Sequence, residues 1–257
     1  MLLDGKVVVV SGVGPGLGRE IAAVALREGA SVMLGARTAG RLEEVAAGLG
    51  DDTRVGWQPT DITDADQCRR LVDAAAERFG RLDGVVNCAA LDTVMGGLQD
   101  ADFAQWRQVF DTNIIGTLSV CRAAIDHLKG DGGSIVLIGS QSMYWPQIPQ
   151  MAYAASKGGL TSAMHYLAKE LGPLRIRVNT VVPTWMWGPP VQTYVDMMVK
   201  ARGVAAEEII GEITRNMPLG EIPADEDVAE VVAFFLSDRA RMVSDQSLLV
   251  NAGEFPH

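Results

Sequence analysis

Short runs of apolar, mostly β-branched residues alternate along the chain with longer amphipathic stretches. Strands that alternate with helices in this way are typical of βαβ units, whose strands lie parallel in one sheet. The pattern predicts seven strands: Lys6–Ser11, Ser31–Ala36, Arg54–Gln58, Gly84–Asn87, Ser134–Gly139, Arg175–Val182 and Ser247–Asn251. It therefore indicates an α/β fold with one seven-stranded parallel sheet and helices in the connections.

Helical patterns fill those connections. They lie after Gly16, near Arg41–Gly48, and over Ala65–Phe79, Asp102–Leu128, Gln150–Leu171 and Asp225–Leu236. Asp64 and Gly80 bracket the third pattern as a predicted N-cap and C-cap.

One long interruption runs from Pro183 to about Pro223 and contains two short helical patterns, around Val191–Arg202 and Ala206–Ile213. An insertion of this size in a compact fold is usually a lid or a binding loop. We therefore expect a single domain over residues 1–257 with a substrate lid at about 184–223.

Composition excludes several classes of function. The 257 residues are 48% hydrophobic and carry a formal net charge of −10 with no cluster of Lys or Arg, which argues against binding to nucleic acid or an anionic membrane surface. The apolar runs fall far short of the roughly 18 residues that a membrane span needs. The opening residues, MLLDGKVVVV, lack the basic start and cleavage site of a signal peptide. We expect a cytoplasmic protein.

Cysteine and histidine usage predicts neither a disulfide framework nor a metal site. The residues concerned are Cys68, Cys88, Cys121, His127, His165 and His257. The cysteines are odd in number and fit no C-x-x-C spacing, so reduced thiols are expected. His127 and His165 lie on different predicted helices, so we expect no bound metal.

A glycine-rich turn follows the first predicted strand. It reads Ser11-Gly12-Val13-Gly14-Pro15-Gly16-Leu17-Gly18 and opens an apolar helical pattern. Glycines at a strand-to-helix turn let the backbone approach a pyrophosphate, and the helix N-terminus offers free N–H groups and partial positive charge. We interpret the turn as a dinucleotide site, with a merely tight turn as the alternative.

Together with further motifs, this turn resembles that of the short-chain dehydrogenase/reductase family in its single-domain form. The motifs are Asp61 after the third strand, Asn87-Cys88-Ala89-Ala90 after the fourth, Asn113, Ser140, and Tyr153-Ala154-Ala155-Ser156-Lys157. The resemblance covers nearly the whole chain. It implies a Rossmann-like, doubly wound sheet with helices on both faces, an NAD(P)-dependent oxidoreductase, and a homotetramer or homodimer.

The second strand carries the information on cofactor choice. An acid at its tip would bind both ribose hydroxyls and select NAD, but Ala36 occupies that place and Arg37 follows. An arginine can pair with a 2′-phosphate, so the resemblance implies that NADP(H) is favoured over NAD(H). The alternative is a solvated Arg37 that pairs with Glu43 or Glu44.

The resemblance implies further cofactor contacts along the chain. With Gly12, Gly14, Pro15, Gly16, Leu17, Gly18 and Arg37, they are Asp61, Ile62, Asn87, Ala89, Tyr153, Lys157, Pro183 and Met186. Three features depart from the family pattern: Cys88 and Ala90 replace the second asparagine and the glycine of N-N-A-G, Gly188 stands where a phosphate-binding threonine is expected, and Asn251-Ala252-Gly253 replaces D-G-G. The second departure puts the grip on the cofactor in doubt.

Tyr153 and Lys157 are four residues apart on a helical pattern, which puts them on one face. A nearby ammonium lowers the pKa of a phenol, so the pair can exchange a proton with a substrate oxygen. By resemblance, Ser140 orients the substrate oxygen, and Asn113 supports a water that links Lys157 to solvent. Ser142 is the nearby alternative to Ser140.

Aromatic residues flank the catalytic strand ends and the predicted lid. The candidate substrate contacts are Ser142, Tyr144, Trp145, Trp185 and Trp187. Such walls suit a bulky, apolar ketone, although packing of the lid against the body explains them equally well. We expect an NADP(H)-preferring enzyme that interconverts a ketone and a secondary alcohol. A catalytically silent dinucleotide sensor or scaffold on the same fold is the alternative.

Overall fold

Seven parallel strands form the centre of the computed structural model, which describes residues 1–254. They are β1 (Val7–Ser11), β2 (Ser31–Ala36), β3 (Val55–Pro59), β4 (Gly84–Asn87), β5 (Gly133–Ile138), β6 (Ile176–Pro183) and β7 (Ser247–Val250). Their order is β3-β2-β1-β4-β5-β6-β7, so the direction of winding reverses between β1 and β4. The predicted Rossmann-like, doubly wound parallel sheet is confirmed, and no strand boundary differs from the prediction by more than a residue.

Nine α-helices connect or flank the strands within residues 1–254. They are α1 (Leu17–Arg27), α2 (Ala39–Leu49), α3 (Ala65–Phe79), α4 (Phe103–Phe110), α5 (Thr117–Leu128), α6 (Met151–Leu171), α7 (Pro189–Arg202), α8 (Ala206–Thr214) and α9 (Asp225–Leu236). Asp64 accepts hydrogen bonds from the first-turn N–H groups of α3, and Gly80 ends that helix with φ of 81°, both as predicted.

The predicted helical stretch Asp102–Leu128 is not one regular helix. A π-helical segment, Asp111–Gly116, joins α4 to α5. Gly116 lies so close to Ile62 that a Cβ at 116 would come within 2.8 Å of the Ile62 side chain. This segment carries Asn113, so the change of winding sets where that side chain points.

Helices cover both faces of the sheet. Strand β1 is buried throughout, and alternate residues such as Val8 and Val9 belong to two separate apolar clusters. Helices α1 and α9 pack on one face, while α3, α5 and α6 pack on the other. Burial on both faces explains why the strands are continuous apolar runs rather than alternating ones.

The segment 184–223 holds α7 and α8, close to the two short helical patterns predicted there. Its two ends lie side by side, because the backbone N–H of Trp187 donates to the Pro223 carbonyl at 2.7 Å. Val195, Ile209 and Met217 bury their side chains. The segment therefore packs against its surroundings through buried apolar side chains, and its role as a lid stays a prediction.

Candidate active site

A cavity of about 670 Å³ opens at the carboxyl ends of the neighbouring strands β1 and β4, where the winding of the sheet reverses. It is lined by the glycine turn after β1, the residues after β2, the β3–α3 connection, and the residues that follow β4. Ligands of open α/β sheets bind at this switch point. The cavity brings together predicted cofactor residues from four separate segments, among them Gly12, Gly14, Asp61, Ile62 and Ala89.

The glycines of the turn are required by close backbone approaches. Gly12 has φ of +92°, and a Cβ there would lie 2.1 Å from the Ala89 nitrogen. A Cβ at Gly18 would lie 2.4 Å from the Gly12 carbonyl oxygen, so α1 can approach the turn only without a side chain there. Gly14, by contrast, has no atom within 4 Å of the Cβ position. The backbone at Gly14 is thus open to a ligand in the cavity.

Unsatisfied polar groups collect at the same edge. Gly16 caps α1 without any side-chain hydrogen bond, which leaves first-turn N–H groups available for an anion. The Ser11 hydroxyl and the Asn87 side-chain oxygen Oδ1 are buried without a hydrogen-bond partner in residues 1–254. These groups fit a dinucleotide, whose phosphates the free N–H groups at the start of α1 would hold.

Two arginines face the end of the cavity beyond β2. Arg37 and Arg41 both line it and are both exposed. Neither forms an ion pair with any carboxylate in the described part of the chain, so the alternative pairing of Arg37 with Glu43 or Glu44 is not found. Sequence reasoning missed Arg41. Its position in the first turn of the helix after β2 was the available signal.

Asp61 lies at the adjacent wall of the cavity. Its Oδ1 accepts hydrogen bonds from the N–H of Thr63 at 3.0 Å and from the Thr63 hydroxyl at 2.7 Å. Its own N–H donates to Gln67 at 2.8 Å. These bonds fix the carboxylate at the edge of the cavity, and its role as a cofactor contact stays a prediction.

Ser140, Tyr153 and Lys157 come together where β5 ends and α6 begins. The Tyr153 hydroxyl is hydrogen-bonded to Ser140. The Lys157 ammonium lies 5.6 Å from the Tyr153 ring centroid and donates to the Ile138 carbonyl at 2.6 Å. Ser142 donates its hydroxyl hydrogen to Ser140 Oγ at 2.9 Å. Ser140 is therefore the serine that contacts the tyrosine, and Ser142 contacts it only through Ser140.

Asn113 uses its whole side-chain amide to join two segments. Its Oδ1 accepts from the Leu91 N–H at 2.7 Å, and its Nδ2 donates to the Leu91 carbonyl at 3.1 Å and to Ser156 Oγ at 2.9 Å. Ser156 in turn donates to the Tyr153 carbonyl at 2.6 Å. Asn113 thus ties the chain after β4 to the first turns of α6. Its support of a water stays a prediction.

The pKa of Tyr153 differs from the sequence expectation. Burial raises the pKa of the phenol well above its usual value, and the hydrogen bond from Ser140 offsets this only in part. Burial also lowers the pKa of Lys157 to about 8, although Cys88 and Asp92 favour its charged form. For Lys157, which is buried, desolvation outweighs the attraction of Cys88 and Asp92, whereas for the partly buried Tyr153 these same two groups add to the effect of desolvation. At neutral pH, Tyr153 therefore holds its proton and can donate it.

Asp225 fills the space beside Gly188. A Cβ at 188 would lie 2.2 Å from the Asp225 carboxylate, which also approaches the Cβ position of Gly16 to 3.5 Å. Burial, together with Glu20, raises the pKa of Asp225. The phosphate-binding threonine expected at 188 is thus replaced by a glycine that makes room for a carboxyl group from α9.

The candidate substrate residues differ in how tightly they are held. Trp185 donates its indole N–H to Gln147 at 3.0 Å and stacks at 5.2 Å, ring centroid to centroid, on Tyr194 of α7. Tyr144 and Trp187 are 39% and 37% exposed. For Trp185, these contacts favour packing of the 184–223 segment against the body, whereas Trp187 leaves a large apolar surface open.

Within residues 1–254, no three or more His, Cys, Asp or Glu side chains lie close enough together to hold a metal ion. His127 lies 2.8 Å from Asp73 on the neighbouring helix, far from the cavity, and His257 lies outside the described residues. Across the described chain, no helix combines the length and the apolar character required to cross a bilayer.

Comparison with known proteins finds similarity to reductases and dehydrogenases. A family model described as "Enoyl-(Acyl carrier protein) reductase" matches residues 12–254. An L-rhamnose 1-dehydrogenase (NAD(P)(+)) of Azotobacter vinelandii is 34% identical, covering 99% of this chain and 98% of that protein. A cis-4-hydroxycyclohexanecarboxylate dehydrogenase of Sinomonas cyclohexanicum is 32% identical over 96% of each. A short-chain type dehydrogenase/reductase structure from Mycobacterium ulcerans superposes with a TM-score of 0.89 at 31% identity, covering 99% of this chain and 91% of that one.

Proposed function

The chain belongs to the short-chain dehydrogenase/reductase family, and from this premise we propose that it reduces a bulky, apolar ketone to a secondary alcohol, or the reverse, with a preference for NADP(H). The family makes it an NAD(P)-dependent oxidoreductase of alcohols and ketones. One observation carries the catalytic part of the proposal: Tyr153 contacts Ser140 beside Lys157, and the cavity-lining residues Cys88 and Asp92 affect the pKa of both Tyr153 and Lys157.

In the proposed reaction, a bound nicotinamide cofactor supplies or accepts the hydride. For reduction, Tyr153 donates its hydroxyl proton to the carbonyl oxygen as the carbonyl carbon gains the hydride. Ser140 donates a hydrogen bond to the same oxygen and holds it near the phenol. The buried Lys157 ammonium stabilises the phenolate that remains. A raised pKa suits Tyr153 to the donor role, because the proton is present at neutral pH.

The preference for NADP(H) is supported by Arg37 and Arg41. Both side chains are exposed at the end of the cavity beyond β2 and are unpaired with carboxylates within residues 1–254. An unpaired guanidinium can form charge-assisted hydrogen bonds with a phosphate without first breaking an ion pair. Position 188 is a glycine instead of the expected threonine, and the Asp225 carboxyl group lies beside it, so binding of the pyrophosphate is weaker there. The two arginines are therefore the stronger anion contacts in this proposal.

The substrate class is supported by the exposed aromatic side chains of Tyr144, in the loop after Ser140, and Trp187, in the segment 184–223. The names of the relatives include both a substituted cyclohexanol and a sugar as substrates, so the two classes compete. Exposed aromatic side chains favour an apolar ring over a polyhydroxylated one, because most of the contact area that they provide is apolar.

The proposal is tested by a panel of ketones and alcohols assayed with both cofactors, following the absorbance of the reduced nicotinamide. We expect cyclic, apolar ketones to show a kcat/KM at least about tenfold above that of small polar ketones and sugars, the scale of a few buried methylene groups. A clear preference for sugars would make the substrate proposal wrong. Turnover of no compound, combined with tight cofactor binding, would favour the silent sensor.

We also propose that the protein assembles with copies of itself. Large apolar side chains are exposed on the helical layer that carries α4 to α6: Phe103 is 53% exposed, Ile115 57% and Tyr166 76%. A second copy of the chain would cover this surface. Light scattering at micromolar concentration should give a mass at least twice the 27.4 kDa of one chain. A mass of one chain would overturn the proposal.

A cytoplasmic location is proposed as well, supported by three cysteines that form no disulfide in residues 1–254.

A further inference from the structure

A buried carboxylate follows the last strand and faces the catalytic loop. Glu254 is 3% exposed. It accepts hydrogen bonds from three side chains: Gln141 Nε2 at 2.7 Å, Gln147 Nε2 and Thr184 Oγ1. Gln141 directly follows Ser140, and Thr184 begins the segment 184–223. One carboxylate therefore joins the two segments that carry the candidate substrate residues.

Neighbouring side chains determine which way the two glutamine amides of this network face. The indole N–H of Trp185 can only donate, and it donates to Gln147 Oε1 at 3.0 Å, so the amide NH₂ of Gln147 must face Glu254. Asn251 donates to Gln141 Oε1 at 2.7 Å, which turns the NH₂ of Gln141 toward Glu254 in the same way.

Position 254 must therefore accept hydrogen bonds at both of its terminal atoms. Oε1 receives Gln147, while Oε2 receives Gln141 and Thr184. Only an ionised carboxylate has two acceptor atoms and no donor. A glutamine there would set an NH₂ group against that of Gln147, or would force Gln147 to turn over and break its hydrogen bond with the Trp185 indole.

We propose that Glu254 is a positioning residue for the substrate. It holds the loop of Ser140 and Ser142 and the Trp185 end of the 184–223 segment in one arrangement, through Gln141, Gln147 and Thr184. The inference rests on the proposed function in one respect, that the substrate binds between these two segments. The carboxylate touches neither the cofactor cavity nor Tyr153, so its loss changes substrate binding before it changes the chemical step.

The test uses the full-length protein with the isosteric substitution Glu254→Gln. KM for the best ketone should rise about tenfold, the effect of one disrupted buried hydrogen bond, while the dissociation constant for NADPH changes by less than about twofold. The tryptophan emission assigned to Trp185, by difference from Trp185→Phe, should shift. Glu77→Gln, which changes an exposed glutamate on α3 outside the segment 184–223, is the matched control and should alter neither quantity.

Exchanging the carboxylate of position 254 with the amide of position 147 distinguishes a positioning role of Glu254 from a general loss of stability. In Glu254→Gln/Gln147→Glu, the new carboxylate at 147 accepts from the Trp185 indole and from the new amide at 254, whose oxygen accepts from Gln141 and Thr184. The double variant should recover KM to within about threefold of wild type, and it should recover the emission.

Failure to recover either quantity in a folded double variant, or an unchanged KM in Glu254→Gln, would overturn the inference. The emission needs no substrate. If the wild type reduces no ketone but the swap restores the emission lost in Glu254→Gln, the proposed reaction is wrong and the arrangement made by Glu254 stands.

Discussion

Tyr153→Phe is expected to lower turnover by at least about a hundredfold while changing the affinity for NADPH by less than about twofold. The substitution removes the hydroxyl that contacts Ser140 and keeps the aromatic ring beside Lys157. Only the proton donor is lost, so the packing of α6 should remain. Steady-state rates with the best ketone of the panel, and titration of NADPH by fluorescence, measure the two quantities.

Tyr166→Phe is the matched control for this prediction. Tyr166 lies on the same helix and is 76% exposed, so removal of its hydroxyl should leave turnover unchanged. Near-normal turnover of Tyr153→Phe would contradict the assigned mechanism.

The pH dependence of the wild type adds a further check. Tyr153 keeps its proton through neutral pH because burial raises its pKa, whereas Lys157 loses its charge as the pH rises through about 8. Reduction by the wild type should therefore slow above about pH 8.

Arg37→Ala should have the second-largest effect, on the choice of cofactor. We expect the wild type to bind NADPH more tightly than NADH, and the substitution to narrow that gap by about 1–3 kcal/mol, or roughly fivefold to 150-fold in relative affinity. The affinity for NADH should barely change, because its ribose carries no 2′-phosphate to pair with the guanidinium. Arg41→Ala should act in the same direction, since this side chain lines the same end of the cavity.

Dissociation constants of NADPH and NADH for the wild type and each variant test whether Arg37 and Arg41 determine the cofactor preference. Arg69→Ala is a suitable control, because Arg69 lies on α3 and pairs with Asp66 at 3.7 Å rather than with a group of the cavity. A wild type that prefers NADH would show that Arg37 is an ordinary surface residue and that the proposed cofactor preference is wrong.

Much of the fold could be predicted because its signals are local. The strands are continuous apolar runs, and Asp64 and Gly80 bracket α3 by interactions within a few residues. The spacing of Tyr153 and Lys157 places them on one helix face regardless of what surrounds that helix. The glycine turn was likewise recognisable, because the need for Gly12 arises in a short connection between a strand and a helix.

The sequence by itself therefore determined the parallel sheet, the turn after β1, and the residues that we propose for the catalytic group. Only the tertiary structure decided their surroundings. Burial, set by elements far apart in the chain, keeps Tyr153 protonated against the expected effect of Lys157. Asp225 takes the space beside Gly188 from a helix 37 positions later in the sequence. Glu254 meets Gln141 across 113 residues. Desolvation and hydrogen-bond direction depend on which distant groups enclose a side chain, and no periodicity along the chain carries that information.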